Sequence, residues 1–280
     1  MKYPVSLIIS FYNKIDVLHL ILTALERQTF ENFEVIIADD GSKPEVVEAI
    51  KKIQTDYFFP IKHIWQEDKG WRKNKILNKA IVASEGEYLI FIDGDCIPHP
   101  LFIQEHLENR ASNQLISGRR VMLTQKISKE LSVEKIKNGY LDNEVAIPLL
   151  FENIFKRKNT HTENMLRIRN KFIRRHFIQD KIKSFWGGNF SISKRNILKV
   201  NGFDERFVNP DTGEDGDLED RLKRVGVFPI SKKHLVTQYH FFHTKLIKPI
   251  NPNFSLREEN NRNYVIFTPY GIKKTNEHSA

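Results

Sequence analysis

The stretch Gly86-Glu-Tyr-Leu-Ile-Phe-Ile-Asp-Gly-Asp95 places an unbroken apolar run directly before two carboxylates. A run of this length with no polar alternation is the mark of a strand covered on both faces, as in a parallel sheet. Working towards the N-terminus, Val5-Ser-Leu-Ile-Ile and Phe33-Glu-Val-Ile-Ile-Ala read as two more strands of the same kind, and Ile61-Lys-His-Ile-Trp65 as a short third. Between them, apolar residues recur at helical spacing. Val17, Leu18, Ile21, Leu22 and Leu25 share one face of a helix from about Lys14 to Gln28. Pro44 to Lys52 and Lys73 to Ala83 complete the set, with Pro44 suited to a first helical turn. Strands alternating with helices at this spacing specify an α/β, doubly wound and mostly parallel sheet.

In such a sheet, ligands bind outside the carboxyl ends of the strands. Three polar clusters fall there: Ser10-Phe-Tyr-Asn13, Asp39-Asp40-Gly-Ser42 and Asp93-Gly-Asp95. Each taken alone also reads as a turn, with Asp as a helix cap. Two carboxylates closing an apolar strand repel unless a cation joins them, which favours a metal at Asp93 and Asp95.

Composition limits the alternatives. The 280 residues, 40% of them apolar, can build one large domain or two closely packed lobes. The formal charge of +9 admits nucleic acid, an anionic membrane face or acidic substrates such as nucleotide sugars. A nucleic-acid module would leave the carboxylate clusters without a purpose. A single cysteine, Cys96, excludes an internal disulfide and cysteine-based zinc sites. The opening residues run straight into a strand without signal-peptide architecture, and no apolar run nears the ~20 residues of a membrane span. The expected location is the cytoplasm, either soluble or peripheral at the inner face of the membrane. An Asp-x-Asp phosphatase would carry its motif on the first strand with Thr or Ser shortly after it, whereas this chain continues Cys96-Ile-Pro.

Together, Val5-Ser-Leu-Ile-Ile-Ser-Phe-Tyr-Asn-Lys14, the segment from Gln28 to Ser42, and Gly86 to Asp95 resemble the family 2 glycosyltransferases of the GT-A fold. The resemblance implies that Ser10, Tyr12 and Asp40 surround the base of a bound nucleotide, usually uridine. Tyr12 would stack on the ring and Asp40 would accept its imide N–H. Asp93 would approach the ribose, and Asp95 the metal that bridges the diphosphate. In Glu67-Asp-Lys-Gly-Trp-Arg-Lys-Asn-Lys75, which matches the family's segment before the aspartate strand, Arg72 and Lys75 would neutralise phosphate charge. A solvated basic helix start is the plainer reading of both. Asn78 is expected to fix the local backbone.

The second half resembles galactosyltransferases and chondroitin-polymerase-type enzymes through Trp186-Gly-Gly-Asn, Asn201-Gly-Phe-Asp204 and Gly213-Glu-Asp-Gly216. By position, Glu214 would hold the acceptor sugar and Asp215 would be the catalytic base. Gly187 and Gly188 would line the donor and acceptor pocket, their bare backbone admitting a sugar. Asp217, Glu219 and Asp220 read as acids favoured by a helix N-terminus. Asn209-Pro-Asp-Thr-Gly213 departs from the family's Trp-containing approach and leaves acceptor identity open. His240 and His243 remain. An imidazole beside Asp95 gives mixed N/O ligation suited to Mn²⁺ (or Mg²⁺). In an extended segment the two face opposite sides, so only one reaches the site. Counting back from Pro249-Ile-Asn-Pro252, which resembles the galactosyltransferase tail, favours His243.

The expected organisation is therefore a nucleotide-sugar-binding half (1–127), a helical basic insertion (128–183) and an acceptor-binding and catalytic half (184–280). The tail beyond Lys245 reads as extended, with 277–280 frayed. The expected activity is inverting, metal-dependent transfer of a galactose- or N-acetylhexosamine-class sugar from a UDP-sugar to a glycan or glycolipid acceptor, in surface polysaccharide or lipopolysaccharide synthesis. A catalytically inactive glycan- or nucleotide-binding relative is the alternative. The basic stretch 156–183, with Arg167, Arg169, Lys171, Arg174 and Arg175 among Ile168, Phe172, Ile173 and Phe177, reads either as a surface insertion over the cleft or as a peripheral contact with anionic membrane or glycan. No nucleic-acid partner is expected.

Overall fold

The computed structural model describes residues 2–155, 160–178, 185–209, 213–244 and 253–274. The apolar runs form strands where their pattern places them: β1 (Val5–Phe11), β2 (Phe33–Asp39), β3 (Ile61–Trp65) and β4 (Tyr88–Asp93). β1, β2 and β4 are buried almost throughout, as unalternated apolar strands must be. Six further strands are β5 (Cys96–Pro98), β6 (Gln114–Ser117), β7 (Arg119–Met122), β8 (Asn189–Ser193), β9 (Phe228–Ser231) and β10 (Thr237–His240).

The main sheet runs β3-β2-β1-β4-β8-β6-β9, and a smaller one runs β5-β10-β7. Pairing in the main sheet is parallel except where β8 enters between β4 and β6, antiparallel to both, and in the smaller sheet β10 is antiparallel to β5 and parallel to β7. A strand from the second half of the chain thus completes the sheet begun by the first. Side chains alternate across it. Leu7, Ile9, Val35, Ile37, Ile90 and Ile92 pack on one face with the helix Ile15–Leu25. Ile8, Ile36, Leu89 and Phe91 pack on the other with the helices Lys73–Ala83 and Glu214–Arg224. Phe91 stacks on Phe190 of β8 with ring centroids 4.5 Å apart, which fixes that junction.

Among the described residues, 128–155 and 160–178 contain helices and no strand. The tail differs from expectation, since Asn253–Arg262 is a helix. It lacks an apolar stripe and is held by polar bonds instead. Asn260 donates to Asp217 Oδ1 (2.7 Å), and Arg257 to Asp220 Oδ2 (2.8 Å). Residues 277–280 lie outside the described residues. Among the described residues, no helix is long and apolar enough to cross a membrane.

Candidate active site

Strand register assembles the site. Ser10 lies opposite Ala38 in β2 and Asp93 in β4, and Phe11 lies opposite Asp39, so the three polar clusters share one sheet edge. Antiparallel β8 begins where β4 ends, with Ile92 opposite Asn189, which brings Gly187 and Gly188 to the same edge. In the smaller sheet, His240 pairs with Cys96 and so stands beside Asp95.

At the β1–β2 end lies a cavity of about 280 Å³, whose lining includes Ser10, Tyr12, Asp40, Asp68 and Lys73. Tyr12 is half exposed, and its hydroxyl donates to Asp68 Oδ2 (2.9 Å). The adjacent aspartates divide their roles. Asp39 is fully buried, accepting from the Ser42 N–H (2.8 Å) and facing His63 Nε2 (2.9 Å), which is the turn reading. Asp40 faces the cavity and accepts from Gln66 Nε2 and the Arg72 backbone N–H, both at 2.7 Å. Burial pushes Asp40 above the usual carboxylate range, and these two donors offset that only in part.

Arg72 contributes its backbone here, while its guanidinium donates to the Glu67 carbonyl. Neither Arg72 nor Lys75 lines the cavity, and Lys73 does. Its ammonium sits 2.6 Å from Asp93 Oδ1. Burial alone would lower its pKa, but Asp93 and Asp215 hold it above the ordinary lysine range. Burial likewise opposes ionisation of Asp93, yet Lys73 and the Ser10 hydroxyl (3.0 Å) keep that carboxyl below its usual value. A lysine thus relieves part of the repulsion that sequence reasoning assigned to a metal. The signal for it was weak, because Arg72, Lys73 and Lys75 are indistinguishable until the helix phase is known. Asn78 fixes a distant segment rather than the local backbone expected for it, bonding the Phe203 N–H and carbonyl at 2.9 Å each.

Glu214 and Asp215 open the helix Glu214–Arg224. Asp215 Oδ2 accepts the Gly187 N–H at 2.7 Å. Burial pushes Asp215 up, against the pull of Lys73 and the Gly187 N–H. Burial, with the charge of Asp215, pushes Glu214 up to about 7, and its Oε2 is buried without a hydrogen-bond partner. Both glycines lie against carboxylates. A Cβ on Gly187 would stand 2.7 Å from Asp215 Cγ, and one on Gly188 2.8 Å from Asp93 Cγ. The remaining acids are structural: Asp217 pairs with Arg221, Glu219 with Lys223, and Asp220 with Arg257.

Both histidines reach Asp95, which corrects the expectation that only one could. β10 ends at His240, so strand alternation does not extend to His243. His240 Nε2 lies 3.6 Å from Asp95 Oδ1 and His243 Nε2 3.5 Å from Asp95 Oδ2. One donor atom from each of the three residues falls within a 4.8 Å span. Burial drives His240 down to about 4, so its imidazole is neutral at physiological pH, the form that ligates a metal. Its Nδ1 is buried without a partner. One carboxylate and two imidazole nitrogens fit a divalent transition metal such as Mn²⁺.

The arginines of the basic insertion are largely engaged internally. Arg167 and Arg169 pair with Glu105 and Glu108, and buried Arg174 donates to the Lys233 carbonyl (2.9 Å). Lys156 to Asn159 and 179–184 lie outside the described residues, as do the side chains of Lys171, Arg175 and Phe177.

The model of glycosyl transferase family 2 matches residues 6–198. The chain belongs to glycosyl transferase family 2. A second model, the N-terminal domain of galactosyltransferase, matches residues 167–244 of this family 2 member. The chain is 27% identical over 233 residues to chondroitin synthase of Escherichia coli, covering 80% of this chain and 32% of that protein. It is 27% identical over 229 residues to chondroitin synthase of Pasteurella multocida, covering 80% and 23%. It therefore spans less than a third of the length of the first relative and less than a quarter of the second. Among solved structures it resembles a mannosyltransferase of Pyrobaculum calidifontis in complex with GDP-Man and Mn²⁺ (TM-score 0.55, 15% identity, 92% of this chain and 61% of that one). It also resembles S. aureus TarS in complex with UDP (TM-score 0.52, 17% identity, 92% and 63%). These likenesses show the fold. The family 2 glycosyltransferase has the GT-A architecture, with a mostly parallel central sheet flanked by helices.

Proposed function

We propose that this family 2 glycosyltransferase is inverting and moves a galactose- or N-acetylhexosamine-class sugar from a UDP-sugar to a glycan acceptor, in surface polysaccharide or lipopolysaccharide synthesis. The observation that carries the reading is Asp215, held by the Gly187 N–H on the same sheet edge as the Lys73–Asp93 pair. A carboxylate with a raised pKa beside the donor site is equipped to act as a base. The Tyr12–Asp40 cavity, at about 280 Å³, has room for a base and ribose but not for a whole nucleotide sugar. The diphosphate and sugar would then extend along the edge, past Asp93, towards Gly187 and Gly188.

In this reading Tyr12 stacks on the uracil, Asp40 accepts its imide N–H, and Asp93 positions the ribose. Glu214 holds the acceptor. Asp215 takes the proton of the acceptor hydroxyl as that oxygen attacks the anomeric carbon. The bond from that carbon to the β-phosphate oxygen breaks, and its electron pair leaves with UDP. No enzymic nucleophile is needed. Lys73 adds positive charge close to the departing diphosphate. Asp95, His240 and His243 would hold a divalent cation, which supplies Lewis-acid stabilisation of the leaving group. Arg72 and Lys75 would act only at longer range. Contact with an anionic membrane face is supported by Ile147, Leu150 and Ile154, exposed at helical spacing ahead of the Lys156-Arg-Lys run. Salt-independent failure to sediment with anionic liposomes would remove that part.

The test is Asp215→Asn, assayed for UDP release and for UDP affinity with Mn²⁺. Turnover is expected to fall by at least about 10³-fold with UDP affinity unchanged. Retained turnover would sink the base assignment. A wild-type chain that binds UDP but turns over no UDP-sugar would be the inactive binding relative.

A further inference from the structure

In Gly213-Glu-Asp-Gly216 a glycine stands on each side of the acid pair, and both glycines lie against the helix Asn253–Arg262. Gly213, at φ +115°, adopts a conformation that favours glycine and brings no side chain to cap the helix Glu214–Arg224. A Cβ on it would stand 2.8 Å from Asn253 Cβ. Gly216 has no such backbone need. It sits in the first turn, where alanine would serve a helix better. Its bare backbone instead admits the Arg257 guanidinium, whose Cζ would lie 2.5 Å from a Cβ at this position. Asn253, Arg257 and Asn260 share one face of their helix, and that face follows the turn that carries Glu214 and Asp215.

The helix Glu214–Arg224 is held from two sides, and the two do different things. Leu218 and Leu222 are buried in the core, and buried Arg221 bonds the Val200 and Gly202 carbonyls at 2.7 and 2.9 Å. These anchors begin at Leu218 and fix the helix to the domain. The opening turn ahead of them is seated by the tail. Asn260 Nδ2 donates to Asp217 Oδ1 while its own Oδ1 accepts Arg206, both at 2.7 Å. Arg257 Nε and Asn261 Nδ2 both reach Asp220 Oδ2, at 2.8 and 3.0 Å. Asn253 Nδ2 donates to the Asn209 carbonyl at 2.7 Å. Such bonds are directional, so they set where the first turn points, which apolar packing alone does not. The margin is small. At a side-chain radius of about 5–6 Å, a rotation of about 10° moves a carboxylate by about 1 Å, enough to cost about 10²-fold at a reacting group.

We propose that the helix Asn253–Arg262 is a positioning element of the active site, in which Asn253, Arg257 and Asn260 seat the opening turn of the helix Glu214–Arg224 and so aim Asp215. None of the three touches the reacting atoms, and each acts through the carboxylate that meets the Gly187 N–H at 2.7 Å. This rests on the reading of Asp215 as the base and adds to it the residues that hold that base in line.

The experiment uses the full chain with Mn²⁺ and follows three quantities: hydrogen exchange of the Gly187 amide by NMR, UDP affinity by calorimetry, and kcat with whichever UDP-sugar is turned over. Arg257→Ala and Asn260→Ala are each expected to speed Gly187 exchange and to lower kcat by at least about tenfold, with UDP affinity unchanged. Arg224→Gln is the comparison, because Arg224 ties the far end of the same helix to Asn261 and to the Val265 carbonyl. It should lower the melting temperature yet leave Gly187 exchange and kcat within about twofold of wild type. Gly216→Ala should reproduce the Arg257→Ala defect, since its methyl group displaces the guanidinium. In the Arg257→Ala background it should add nothing, because the side chain it would displace is gone. Unchanged Gly187 exchange in Arg257→Ala overturns the proposal. So do additive losses for Gly216→Ala and Arg257→Ala, or an Arg224→Gln variant that matches them in exchange and kcat, since the tail would then serve only the fold. If Asp215→Asn retains turnover, or if no UDP-sugar is turned over, the base reading fails on its own, and Gly187 exchange still decides whether the tail aims Asp215.

Discussion

Replacing Gly187 and Gly188 one at a time by alanine separates the two halves of the proposed site with a single methyl group each. Neither glycine has a positive φ, so alanine adds no backbone strain and acts only through its Cβ. On Gly187 that atom would stand 2.7 Å from Asp215 Cγ. Carbon atoms at ease sit about 3.5–4.0 Å apart, so carboxylate and loop must separate by about 1 Å. The shift stretches the 2.7 Å bond from the Gly187 N–H, a charge-assisted bond worth about 1.5–3 kcal/mol. A displacement of this size at a reacting group costs on the order of 10²-fold in rate, or about 2.7 kcal/mol. On Gly188 the Cβ would stand 2.8 Å from Asp93 Cγ, so the disturbance falls on the donor side. Gly187→Ala is therefore expected to lower kcat about 10²-fold with UDP affinity intact. Gly188→Ala is expected to weaken UDP binding first. Steady-state UDP release and calorimetric UDP binding on both variants give the answer. Identical profiles for the two, or a Gly187→Ala variant with wild-type kcat, would refute the split-site reasoning.

Two further outcomes follow from the geometry. Glu214 is raised from 4.5 to about 7, so the folded state binds its proton more tightly than the unfolded chain does. Its contribution is fully present below about 4.5 and is lost as pH rises towards about 7, a change of about 2 kcal/mol after allowance for partial exposure. Melting curves between these limits should fall more steeply for the wild type than for Glu214→Gln, and parallel curves would remove the assignment. At the other end of the site, His240→Ala and His243→Ala should each raise the Mn²⁺ concentration for half-maximal activity by at least about tenfold, and chelation should abolish wild-type turnover. An unchanged Mn²⁺ curve in both variants would show that the ion is held elsewhere.

The first hundred residues were legible because their information is local. An apolar run buried on both faces is written contiguously in Val5–Phe11, Phe33–Asp39 and Tyr88–Asp93, and parallel pairing carries their ends to one edge. Asp40, Asp93 and Asp95 are therefore legible in the sequence as edge residues. Glu214 and Asp215 were legible as the start of a helix, because a helix opening on acids is also a local pattern. What those residues touch was not written locally. The choice of Lys73 over Arg72 and Lys75 depends on the rotation of one helix against β4. The convergence of His240 and His243 depends on β10 ending between them. The helix Asn253–Arg262 was hidden because side-chain amides and ion pairs hold it, and these leave no apolar period. Gly187 and Gly188 meet Asp215 and Asp93 only because β8 enters the sheet antiparallel, some hundred residues after β4. Sequence alone determined the sheet, its polar edge and the carboxylates along it. Tertiary structure decided which cation, which histidines and which glycines come together at that edge, because contacts between distant segments depend on strand order and helix phase rather than on any one segment's pattern.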